Sequence, residues 1–307
     1  MSIGALVAFL LYLDWFFQPI INLSQVYNLL QSALAALAKI FNLIDEPVVI
    51  SERPGAFDLP EPVAGEVAFT DVSFSYEEGT PVLKDVALVV APGERVAIVG
   101  ETGSGKSTMA KLAMRFYDPN DGVVALDGND LRDLTEPSRV NALALIPQDG
   151  FLFAGSLREN LKYAKPEAPD DEVWQVLEAM GIEDWIRSLP EGLETEVRER
   201  GGRFSSGERQ LVALARAFLA DPAVIVLDEA TSNLDPETEV KVEAALGVLL
   251  ADRTSIVIAH RLRSAERADR VVMVDDGEII AIGTHDELVA SADPYQELVE
   301  VWQRGLA

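Results

Sequence analysis

Three short stretches of the chain combine residue types and spacings that can do phosphate chemistry. The first is Gly100 to Thr108, GETGSGKST. It fits the pattern G-x-x-x-x-G-K-[ST] with Gly100, Gly105, Lys106 and Ser107 at the fixed positions, and Gly103, Ser104 and Thr108 complete it. Glycines let the backbone fold back and turn its N–H groups toward phosphate oxygens. Lys106 supplies a point charge for β- and γ-phosphates, and the Ser107 hydroxyl is placed to ligate Mg²⁺. The second stretch is AVIVLDEATS, in which Asp228 follows an apolar run and Glu229 comes next. A carboxylate ending a buried strand beside a phosphate loop is placed to hold Mg²⁺, and its neighbour can polarise an attacking water. The third is GRFSSGERQLVALARAF, where Ser205, Ser206 and Gly207 stand just before an amphipathic helix. That arrangement makes an anion site, and an ordinary N-cap reads the same way.

These groups need elements to hold them. Glu94 to Val99 (ERVAIV) reads as a buried strand running into the glycine loop, and Thr108 to Phe116 as the helix leaving it. EVAFTDVSFSY alternates as a strand ending in Tyr76, and Val86 to Val90 is another, followed by the turn Pro92-Gly93. GVVALDG and NALALIPQ are strand-like, and helices dominate from about Ser156 to Ser188. Val224 to Leu227 and Ser255 to Ile258 are short apolar runs suited to parallel strands buried on both faces, the second leading to His260. Val271 to Val274 and Glu278 to Ile282 form a final pair, and His285 to Arg304 is helical. The expected fold is α/β, with the phosphate loop at a strand's carboxyl end.

Composition narrows the function classes. The chain has 307 residues and a formal net charge of −26, with 49% hydrophobic residues. So acidic a chain is poorly suited to nucleic acid, whose phosphates need a basic surface. With no cysteine and only two histidines, thiolate chemistry, disulfides and Cys-ligated zinc are excluded and a His-rich metal site is disfavoured.

Residues 3 to about 23 (IGALVAFLLYLDWFFQPIINL) are nearly all apolar and long enough to cross a bilayer core. A secretory signal would need a basic start and a small-residue cleavage site, which this stretch lacks, and the run is longer than a usual core helix. A membrane helix is expected, with Asp14 turned toward other helices or water and a kink at Pro19. Helical spacing continues to about Ile44, and Pro47 stops it. The expected division is a helix over residues 1–44, a Pro- and Gly-punctuated linker over 45–64, and a globular domain over 65–307.

Taken together, residues from about Gly65 to Arg304 closely resemble the nucleotide-binding domain of ATP-binding cassette (ABC) transporters, with the motifs in the family's order and spacing. FSSGERQ resembles the signature LSGGQ, departing by Phe204 for Leu, Ser206 for the first Gly and Glu208 for Gln. The last exchange adds negative charge near a γ-phosphate. The resemblance implies an ATPase with a helical subdomain that uses ATP and Mg²⁺. It implies Tyr76 stacked on adenine, Gln148 (in LIPQDGFLF) contacting Mg²⁺ and water, Asp235 in the D-loop, and His260 gripping the γ-phosphate. TEVRERG, Thr195 to Gly201, resembles the loop that precedes the signature in exporters, with Arg198 for the usual Gly.

The family mechanism pairs two domains head to tail. ATP on the loop of one is covered by Ser205, Ser206, Gly207 and Glu208 of the other, in a homodimer or heterodimer of half transporters. The N-terminal helix resembles the last transmembrane helix of an exporter half transporter fused to its ATPase. A half transporter has six such helices, so a C-terminal fragment is expected. The full-length protein would be multi-pass in the plasma (inner) membrane among lipid, with a cytoplasmic ATPase that drives export of a small molecule or lipid. The alternative is a membrane-anchored ABC ATPase acting as a regulatory or scaffold dimer without transport.

Overall fold

The computed structural model describes the chain except Met1, Glu78 and residues 148–149, 198–200, 229–235, 260, 292 and 306–307. The chain divides into two compact units, residues 1–51 and 52–307.

The first unit is one helix, α1 (Ile3–Ile44), capped by Ser2, whose Oγ accepts the Ala5 N–H at 3.3 Å. At 1.5 Å per residue its 42 residues extend about 63 Å, roughly twice a hydrocarbon core. Pro19 lies inside it, and none of its residues is buried. It is long and apolar enough to cross a membrane.

The second unit begins with an antiparallel pair, β1 (Val67–Phe74) and β2 (Leu83–Val90). Then β3 (Arg95–Val99) enters the glycine loop and α2 (Lys106–Ala113) leaves it. β4 (Asp121–Leu126) pairs with β1, and the two-residue β5 (Asn129–Asp130) edges that sheet. α3 (Glu136–Ala142) and β6 (Leu143–Ile146) follow. Thus the segment NALALIPQ is not strand throughout. Pro137 in the first turn nucleates a helix that absorbs Asn141 and Ala142 before the strand starts.

A short strand, β7 (Gly155–Ser156), precedes three helices, α4 (Leu157–Leu161), α5 (Asp170–Ala179) and α6 (Glu183–Ser188), and pairs with β8 (Glu196–Val197) beyond them. The remainder is α7 (Ser206–Ala220), β9 (Val224–Asp228), α8 (Pro236–Leu249), β10 (Thr254–Ile258), α9 (Leu262–Glu266), β11 (Arg270–Asp275) and β12 (Glu278–Gly283). The C-terminal helical stretch is two helices, α10 (His285–Ser291) and α11 (Asp293–Gly305).

The larger sheet has the order β12-β11-β3-β10-β9-β6, parallel except for β12. Its central strands bury both faces, which is why they read as unbroken apolar runs. Val96 and Ile98 of β3, with Val224 and Val226 of β9, join α2 and the antiparallel sheet in one core. The alternate residues Ile225 and Leu227 face a second core built on α4 to α8. Ala97 and Val99 face a third, with α9 to α11. The helical subdomain therefore has its own apolar core, joined to the sheet through β9 and β6.

Residues 52–64 belong to the second unit. Leu59 is buried and donates its N–H to Ser138 Oγ at 2.9 Å, and Phe57 bridges to Leu134. Asp127 gathers the N–H groups of Ala64, Gly65 and Glu66 at 2.7–2.8 Å. Proline-rich punctuation thus marks a segment without regular structure that is nonetheless packed onto the domain.

Candidate nucleotide-binding site

The parallel register brings the strand ends level. Ile258 of β10 pairs with Ile98 of β3 on one side and with Asp228 of β9 on the other. Asp228, the last residue of β9, therefore stands two strands from the point where β3 gives way to the glycine loop.

That loop is held in backbone geometry that selects glycine. Gly100, Gly103 and Gly105 have φ of +146°, +90° and +108°. A Cβ on Gly100 would strike the Val274 carbonyl, and one on Gly105 would come within 2.6 Å of the Leu83 side chain. Gly105 is the N-cap of α2 and offers no side-chain cap, so the first N–H groups of the helix are left to the loop. Ser104 is buried within the turn, and its Oγ has no hydrogen-bond partner. Lys106 is 4% exposed. Its ammonium donates to the carbonyls of Gly100 at 2.9 Å and Glu101 at 2.6 Å, folding back over the loop it helps to build. Burial pulls its pKa below the usual lysine value, while the charges of Asp228 and Glu101 act the other way. The same residues thus gather a cation, a carboxylate and a set of backbone donors.

Ser107, next along α2, is exposed. Its hydroxyl, on the helix that follows β3, and the partly exposed Asp228 carboxylate, at the carboxyl end of β9, are hard oxygen donors of the kind that suit Mg²⁺. A site built on two protein oxygens, completed by phosphates and water, matches the way Mg²⁺ is usually held.

Tyr76 lies two residues past the end of β1 rather than on it. Its hydroxyl is 3.2 Å from Thr108 Oγ1 on α2. Its ring meets Phe74 and Tyr117 edge to face, with centroids at 4.9 and 5.1 Å. The tyrosine expected to stack on a base is thus tethered to the phosphate-loop helix and still 45% exposed. Tyr117 was not legible as a site residue. Its only sequence signal is an aromatic placed just after a helix.

The third stretch has a different character. Ser205 caps α7. Its Oγ accepts the Glu208 N–H at 3.2 Å, and the Glu208 carboxylate accepts the Ser205 N–H at 2.7 Å, a reciprocal capping box. Glu208 therefore has a local structural role that a glutamine could also fill. Phe204, in place of the usual leucine, is buried edge-on against Trp185 at 6.0 Å in the second core. Ser205 and Ser206 are exposed. Among the described residues, no hydrogen bond or ion pair joins residues 205–208 to residues 100–108. Gln148, Glu229, Asp235 and His260 lie outside the described residues.

Residues 83–232 match the family model described as ABC transporter. A solved structure of a bacterial Atm1-family ABC exporter with ATP bound superposes with a TM-score of 0.79 at 37% identity, over 100% of this chain and 53% of that one. The chain belongs to the ABC transporter family. It is 44% identical over 299 residues to an uncharacterized ABC transporter ATP-binding protein of Bacillus subtilis, YknV, covering 97% of this chain and 49% of the relative. It is 40% identical over 301 residues to a fatty acid ABC transporter ATP-binding/permease protein of Mycobacterium tuberculosis, covering 97% and 47%. The chain spans about half the length of the curated relatives it matches. The α/β domain is thus an ABC ATP-binding domain, and the long helix precedes it as in the exporter structure.

Proposed function

We propose that this chain is the ATP-hydrolysing part of an exporter-type half transporter, made of the last transmembrane helix (residues 1–44), a connecting segment (45–64) and the nucleotide-binding domain (65–307). The observation that carries the reading is the glycine loop that folds around buried Lys106 at the end of β3, two strands from Asp228 at the end of β9.

In this reading Tyr76 stacks on adenine, and the N–H groups of Gly100 to Thr108 cradle the phosphates with Lys106. Ser107, Asp228 and Gln148 hold Mg²⁺, which when bound neutralises charge on the triphosphate. Glu229 takes a proton from the attacking water and His260 contacts the γ-phosphate. Ser205 to Glu208 belong to the ATP site of a second copy or a homologous half transporter, with Asp235 at the same interface. Support for this head-to-tail arrangement comes from the exposure of the two serines and, among the described residues, the lack of any hydrogen bond or ion pair to their own chain's loop. The cargo class is a small molecule or lipid, in keeping with the fatty acid transporter among the relatives. The membrane is the plasma membrane, with the ATPase on its cytoplasmic side.

Glu229→Gln is the direct test. Binding should survive and water activation fail, so ATP is retained and a dimer accumulates on size-exclusion chromatography. Hydrolysis at the unaltered rate would reject Glu229 as the base.

A further inference from the structure

We propose that Tyr117 is a positioning residue for the nucleobase: it fixes the ring plane of Tyr76, with Asn120 as the clamp that fixes Tyr117. This rests on the ATP-binding reading of the site and adds a base-recognition element to it.

The strand end that carries Tyr76 and the loop that carries Tyr117 are pinned to each other. Asn120 Oδ1 accepts the Ser75 N–H at 2.6 Å, and the Asn120 N–H donates to the Ser73 carbonyl at 3.0 Å. One side chain and one backbone group therefore hold residues 117–120 against residues 73–76. Across that clamp the two tyrosine rings meet at 5.1 Å and 88°, and Phe74 closes the cluster, touching Tyr76 at 4.9 Å and Tyr117 at 5.6 Å.

The ring of Tyr76 is restrained from several sides. Its hydroxyl is held at Thr108 Oγ1 and accepts from Lys111 Nζ at 3.4 Å, the same ammonium lies 5.4 Å from the ring centroid, and the ring edges are braced by Phe74 and by Tyr117. Phe74 is buried at 4% exposure and belongs to the core, whereas Tyr117 is 40% exposed. A large aromatic left so exposed adds little to core stability, yet it stands where it can stop a platform ring from rotating. Stacking loses value when the platform must be ordered at the moment of binding, because the ordering entropy is then charged to the ligand. Preorganisation by Tyr117 removes that cost for a base. A bare triphosphate, which touches only the loop, gains nothing from it.

The experiment uses the full chain in detergent with Mg²⁺, comparing MgATP with inorganic tripolyphosphate as ligands. Tyr117→Ala should weaken MgATP binding about three- to tenfold, the scale of one edge-on aromatic contact, and leave tripolyphosphate affinity within about twofold. The KM for ATP should rise with the same factor while kcat changes little. Asn120→Ala should reproduce the pattern more weakly, and Tyr117→Phe should restore wild-type binding. Equal loss of both ligands, or no loss of either, overturns the role for Tyr117. If the wild-type chain binds neither ligand, the ATP-binding reading itself fails, an outcome distinct from both.

Discussion

The phosphate loop and the capped start of α7 are both helix N-termini, yet they are built in opposite ways. The loop has a backbone that only glycine adopts without strain, and its lysine is buried. Three glycines sit at positive φ, and an ammonium is drawn out of water to cross the loop. The α7 turn is relaxed and exposed, and each of its capping groups is satisfied by the other. A buried ammonium persists only where its surroundings satisfy it, and Lys106 finds its partners in the carbonyls of Gly100 and Glu101, so the loop is a cradle built within its own chain. The α7 turn carries no such cost, and in the proposed arrangement it meets a nucleotide only when another copy's surface covers it.

The largest expected effect follows from the first half of that contrast. Lys106→Ala should weaken MgATP binding about a hundredfold, by removing a charged donor to phosphate. Its effect on folding should be small, because burial already disfavours the ammonium. Equilibrium binding and thermal melting measured on one preparation separate the two. Full loss of binding with a large drop in Tm would mean that the loop is structural first.

Next in size is a mixing experiment that tests the second half. Lys106→Ala and Ser205→Ala chains should each hydrolyse ATP poorly alone. If Ser205 serves a partner's nucleotide, a mixed dimer contains one complete site, and the mixture should exceed the average of the separate rates. Activity equal to that average would place Ser205 in its own chain's site and erase the contrast.

Legibility in sequence follows the same division. β3, β9 and β10 were readable because each is buried on both faces, and the glycine loop because only glycine tolerates its backbone. Contacts between distant residues were not. Tyr117 meets Tyr76 where Asn120 bridges the two segments and Phe74 packs on both rings, and no local pattern announces that. Residues 52–64 look like linker because proline and charged residues punctuate them, yet Leu59 finds a buried place against α3. Glu208 was visible as a charge but not as a cap, since the capping box depends on which residue occupies the N-cap position, a matter of one residue in the helix boundary.

The smallest expected effect divides the two roles of Glu208. As a capping residue it returns a hydrogen bond to the Ser205 N–H, and a glutamine oxygen can do the same. As a charge at a helix N-terminus it opposes any phosphate that approaches that end. Glu208→Ala should therefore cost about 1 kcal/mol and lower Tm by about 2–4 °C. Glu208→Gln should leave Tm unchanged and raise ATP turnover about two- to fivefold, the gain from removing one like charge beside the γ-phosphate. If glutamine leaves turnover as it was, the start of α7 does not face a phosphate during hydrolysis, and its likeness to the phosphate loop ends at the backbone.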